Sequence, residues 1–353
     1  MRGALTVLLV LWLVLPVCHA QEELSVNGLD KLWQQAEEYG VRSDTGLEEG
    51  LSNLFRDALE QGKTFLRRSV GVGVQLLAVV LVCGVAEGAC VQKTALDVTK
   101  IAGALAVTTL SVNNMDGMIG LGRETIGKMS VFSDALLPVM AALTAATGQV
   151  KGAAVRQGAT VLFTRVLIEI IDSLLIPLVY AYVASCCAYA AVGNEGLKKL
   201  SALLKGAVTM ILTTILLAFV GYLTMSGAIA GSADAAAVKA TKMAISRTIP
   251  VVGGILADAA ESVLVGADVL KGGVGIVGLL VVLAICIGPF FQLAFHYLTY
   301  KVAATLTATV ADPRLSGLLD NLGGAFGLVL GMTGACALLL LFSMVSAVSA
   351  VAL

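Results

Sequence analysis

The sequence predicts an all-α protein: a polytopic helical membrane bundle of five to eight spans, some broken or re-entrant, with a short amphipathic helical extracytoplasmic N-terminal segment. Three observations predict it. Of 353 residues, 58% are hydrophobic and 13% charged, and mean hydropathy is +0.92, whereas soluble domains are about half apolar and about a quarter charged. Long stretches, 206–230 and 323–353 among them, carry no charged side chain. Charge instead gathers near the start, with ten acidic and six basic residues within 21–68.

Residues 1–20 read as a secretory signal peptide. Arg2 precedes an apolar core from Ala4 to Val14, and Cys18 and Ala20 are small residues suited to a cut before Gln21. The apolar run is about a dozen residues, short of the ~20 a spanning helix needs. The alternatives are an uncleaved first span and a lipoprotein-type Cys18.

Residues 21–68 read as two amphipathic helices. Asn27 can cap the first, with Asp30 near the positive end of its dipole. Leu29, Leu32, Trp33 and Ala36 share a face, and Gly40 and 43–46 break the pattern. Leu47, Leu51, Leu54, Phe55, Ala58 and Leu59 mark the second. So short a segment cannot bury a core alone, which predicts docking on the membrane surface or on a partner. A loosely ordered linker is the other reading.

The membrane domain is expected over 69–353. Residues 70–91 form a first span and 101–121 a second. Residues 131–147 are apolar but short and contain Pro138, which suggests a short span or a re-entrant segment. The run 158–192 is too long for one straight span, and Pro177 suggests a kinked helix or a helix pair. Residues 206–230, 273–299 and 323–353 are further spans. Lysine and arginine occur in almost every connection, so the positive-inside rule leaves orientation open. The pairs Gly84/Gly88, Gly227/Gly231 and Gly327/Gly331 suit close helix approach.

Two polar features stand out. Arg165, Glu169 and Asp172 fall at i, i+4 and i+7 of an apolar run and share a helix face, where Arg165 can pair with Glu169. Such groups face a bundle interior or a wet cavity, so they line a polar path, mediate a subunit contact, or lock two helices. The second is 239–268, where Lys239, Lys242 and Arg247 are separated from Asp258, Glu261 and Asp268 by Pro250 and Gly253-Gly254. It reads as two short helices joined by a bend, either lining a cavity or partner site or forming an interfacial hairpin.

Several chemistries lack their residues. A net charge of −1 gives no basic footprint, so nucleic acid is not an expected partner. His19 and His296 are the two histidines, too few for a histidine zinc site, and no phosphate loop is present. The cysteines lie in apolar runs and suit packing; Cys186-Cys187 as a redox pair is the alternative. No cofactor or metal is expected. Thr224-Met225-Ser226-Gly227 lacks the first glycine of a GxSG motif, leaving an intramembrane protease with only Ser226 and His296.

The stretch Lys242-Met243-Ala244-Ile245-Ser246-Arg247-Thr248-Ile249-Pro250-Val251-Val252-Gly253-Gly254, continuing to Asp258-Ala259, resembles the signature of the stage III sporulation protein AE family. The Pro289-Phe290 region and Asp312-Pro313-Arg314 are similar to that family too. The resemblance implies a non-enzymatic membrane subunit of a channel or secretion-like conduit for endospore formation. It would sit in the mother-cell membrane around the forespore, among other stage III proteins and a forespore membrane partner, and as a possible homo-oligomer in membrane lipid. The competing function is a stand-alone secondary transporter using the Arg165/Glu169/Asp172 face and the broken segment. Inverted repeats would favour it, and no convincing repeat is present.

Overall fold

A computed structural model describes residues 33–41, 46–89, 93–146, 162–225 and 273–351, and these contain helices and no strand. The signal-peptide reading and the 239–268 segment lie outside the described residues. A short helix, α1 (33–38), is followed by α2 (Leu47–Ala89) and α3 (Lys93–Ala146). Then come α4 (Leu162–Val192), α5 (Glu195–Met225), α6 (Gly273–Thr307) and α7 (Pro313–Val351). Among the described residues, five helices are long and apolar enough to cross a membrane: α2, α4, α5, α6 and α7.

The six long helices alternate in direction. Gly50 and Gly84 of α2 sit against Leu280 and Val310 of α6, so these two run parallel. Tyr300 of α6 meets Ser111 of α3, and Cys286 meets Met129, so that pair is antiparallel. The α7 helix is the axis, packed on α6, α3, α4 and α5. Its most apolar window is 94% buried, against 22% for that of α2. Protein, not lipid, therefore surrounds the most buried span. Close approach to this axis requires small residues: a Cβ at Gly122 of α3 would collide with Val329 of α7.

Three elements differ from the sequence reading. Residues 101–121 and 131–146 are not separate segments but parts of the single 54-residue α3, which continues past 138. The second amphipathic helix and the first span also form one continuous α2. The first amphipathic helix, described from residue 33, turns at Gly40 (φ 74°), and Ala36 and Val41 pack into the main core rather than on a membrane surface or partner.

Pro177 does not divide this run into a helix pair. The α4 helix is unbroken but contains a π-helical turn, Ile171–Leu175, just before the proline. Proline lacks an N–H and crowds the preceding turn, and a wider turn accommodates both. The helix ends at Gly193 (φ 73°), whose amide donates to the Tyr189 carbonyl. Asn194 then caps α5, its Oδ1 accepting from the Gly196 amide at 2.7 Å.

Candidate functional site

Three polar constellations sit on this frame. The first is a seam between the antiparallel α3 and α4. Tyr180 donates to Asp116 at 2.8 Å. Arg123 holds Asp172 through both Nε (2.5 Å) and a terminal nitrogen (3.0 Å). Arg165 meets Asp134 at 2.9 Å. The pairs descend the two helices in order and stand on the outer surface. Side-chain exposure is 63% and 45% for Arg123 and Asp172, and 69% and 54% for Arg165 and Asp134.

The seam holds Arg165, Glu169 and Asp172 on one face, but the pairing differs from the sequence expectation. Arg165 bonds across to α3 rather than along α4 to Glu169, because the antiparallel packing sets Asp134 beside it. Glu169 is exposed, and its main-chain carbonyl accepts from Ser173. Sequence spacing could not supply the α3 partners. Arg247, Pro250, Gly253, Gly254, Asp258 and Glu261 lie outside the described residues.

The second constellation is a polar layer through the interior. Ser69 Oγ of α2 lies 3.0 Å from His296 Nδ1 of α6, which is also 2.9 Å from the Gln292 carbonyl. Tyr300 donates to Ser111 at 3.1 Å, and Tyr182 of α4 donates to the Asn321 carbonyl of α7 at 2.9 Å. Lys301 and Asp320 pair at 2.5 Å. All of these but the His296–Gln292 contact within α6 join two helices, so the layer fixes register, with the partly exposed Lys301–Asp320 pair at its edge. His296 is 2% exposed, with the Phe326 ring 5.6 Å away.

The third closes the bundle end where α2 finishes and α7 begins. Asp312 caps α7, accepting from the Arg314 amide at 2.7 Å, with Pro313 at the first helical position. The same carboxylate accepts from Lys100 at 2.8 Å and is 10% exposed. Burial pushes the Asp312 carboxyl up, but the Lys100 bond, the Arg314 amide and both cations outweigh it, leaving it below its ordinary value. The Arg314 guanidinium covers Gly193, where any side chain would collide with it. Nearby, Glu87 Oε1 is buried without a hydrogen-bond partner among the described residues. Asp312-Pro313-Arg314 thus ties the α6–α7 turn to the starts of α3 and α7 and to the end of α4.

Comparison with known proteins supplies the remaining finding. The family model for stage III sporulation protein AE matches residues 47–351. Stage III sporulation protein AE of Bacillus subtilis (strain 168) is 24% identical over 269 residues, which is 76% of this chain. The match spans 66% of that relative's length. No solved structure matches the chain.

Proposed function

Because the chain belongs to the stage III sporulation protein AE family, we propose that it serves sporulation as a membrane subunit of a channel or secretion-like complex joining mother cell and forespore. The protein would reside in the mother-cell-derived membrane around the forespore, beside other stage III membrane proteins and a forespore membrane partner. In this reading it contributes structure and assembly surface rather than catalysis.

One observation favours a subunit over a stand-alone carrier. The bundle axis, where a secondary transporter would keep its substrate chamber, is occupied by α7, buried at every residue from Leu322 to Leu341. The charged seam instead faces outward. The protease alternative is weakened because His296 is engaged by Ser69 and the Gln292 carbonyl within the core.

Deleting the gene tests this reading. Sporulation should stop after engulfment while vegetative growth stays normal. Normal yields of heat-resistant spores, together with a growth defect in ordinary medium, would reject the conduit role and favour solute transport.

A further inference from the structure

Exposed charge on α2 is confined to its first part, although large apolar side chains such as Phe55, Leu59, Val131 and Leu162 are exposed at that end of the bundle as well. Toward the end where α2 finishes, the outer face is apolar on several helices. Val74 and Val85 of α2, Ile101 and Leu105 of α3, and Val302 and Leu306 of α6 are all exposed. These positions share a height, since Gly73 lies against Thr299, Gly84 against Val310 and Gly103 against Cys83. Toward the other end, α2 exposes Glu49, Arg56, Asp57, Glu60, Arg67 and Arg68. The α3–α4 seam runs alongside, since Met129 of α3 touches Cys286 of α6 and Gly50 of α2 touches Leu280.

Length sharpens the contrast. The 43 residues of α2 extend roughly 65 Å at about 1.5 Å per residue. A bilayer's hydrocarbon is about 30 Å thick, so less than half of this continuous helix fits within it. Its charges choose which half: exposed ionised groups in hydrocarbon are costly. The α6 helix packs beside the charged half of α2, yet has the highest hydropathy of the five, 2.7. None of its residues from 274 to 297 is exposed. That stretch is apolar because protein covers it.

We propose that hydrocarbon surrounds only the part of the bundle toward Ala89, and that the part toward Leu47 projects beyond the bilayer as a water-exposed helical extension with an α6–α7 core. Along α5, which packs on α4 and α7, the exposed positions from Leu200 to Leu217 carry no charge, after Glu195, Lys198 and Lys199 at its start. The lipid boundary therefore runs obliquely, lower on α5 than on α2. The inference does not depend on the conduit role.

Cysteine labelling in open membrane sheets, both faces accessible, tests it on the full chain with its own cysteines replaced by serine or alanine. Asp57→Cys, Val131→Cys and Glu169→Cys should couple to a bulky polyethylene-glycol maleimide at least tenfold faster than Val74→Cys, Leu105→Cys and Val302→Cys. If the first set reacts only with a small thiosulfonate, or as slowly as the second, the projection is wrong. Hydrogen exchange of the unmodified protein in lipid nanodiscs gives a second reading free of substitutions. Amides of 47–66 should exchange at least tenfold faster than those of 70–89, and equal protection of both would overturn the proposal.

Discussion

Asp312 shows how a short local signal acquires a distant purpose. Its place before Pro313 marks a helix start on sequence alone, but Lys100 is brought to it only by the α3–α7 packing. The two roles separate by substitution. Asp312→Asn keeps a capping side chain and removes the charge, whereas Asp312→Ala removes both. The alanine variant should be the less stable by about 1 kcal/mol, the usual value of a cap, in thermal unfolding of the detergent-solubilised protein. Because the carboxyl's folded value is depressed, its contribution is fully present above the ordinary carboxylate value near ~4. It is lost as pH falls through the lower folded value, so stability from this group should be flat between about pH 5 and 8.

Gly122 is the companion case in packing. Sequence offers many small-residue pairs, and nothing in their spacing singles out this glycine. The structure does, because Val329 of the axial helix occupies the space a side chain would need. Gly122→Leu should destabilise the protein by about 1–3 kcal/mol, the usual cost of overpacking. The same change at Gly117, where a Cβ meets nothing within 4 Å, should cost far less, and comparing the two melting midpoints checks it.

At the scale of elements, hydropathy located the apolar helices but not the boundaries between them. The charged start of α2 and its apolar end differ in composition, so they read as two segments, yet no proline separates them and the helix runs on through Gly71 and Gly73. In α3 the polar middle looked like a connection. It is instead the face that meets α4, with Arg123 and Asp134 turned toward Asp172 and Arg165. Pro177 was legible, and the π-helical turn is its consequence. The seam makes an energetic prediction. A double-mutant cycle on Arg123 and Asp172 should give a coupling at or near the limit of detection, as exposed pairs do. Breaking a pair removed from water costs ~3–5 kcal/mol, and a value of that size would mean that lipid or a partner covers it. Packing of α3 on α6 has its own check. Met129, fully buried with its sulfur 3.5 Å from that of Cys286, should cost about 2–5 kcal/mol when cut back to alanine, read as a lowered melting midpoint.

For the whole molecule, composition announced a helical membrane protein, and the family signature announced its setting. What composition could not do was separate an apolar helix facing lipid from one facing protein, since hydrocarbon and a leucine-rich core are nearly the same solvent. Thus 206–230 and 323–353 look alike in sequence. The window drawn from α5 is 17% buried and that from α7 is 94%. An axis filled by α7 leaves little room for a private substrate chamber and puts weight on the outer faces, where a subunit meets its neighbours. The most direct measurement is isolation of a tagged chain from membranes of sporulating cells, followed by mass spectrometry. Other stage III sporulation membrane proteins should co-purify in fixed proportion after gentle solubilisation. Recovery of the chain by itself, from cells in which those proteins are present and intact, would contradict a role as their partner.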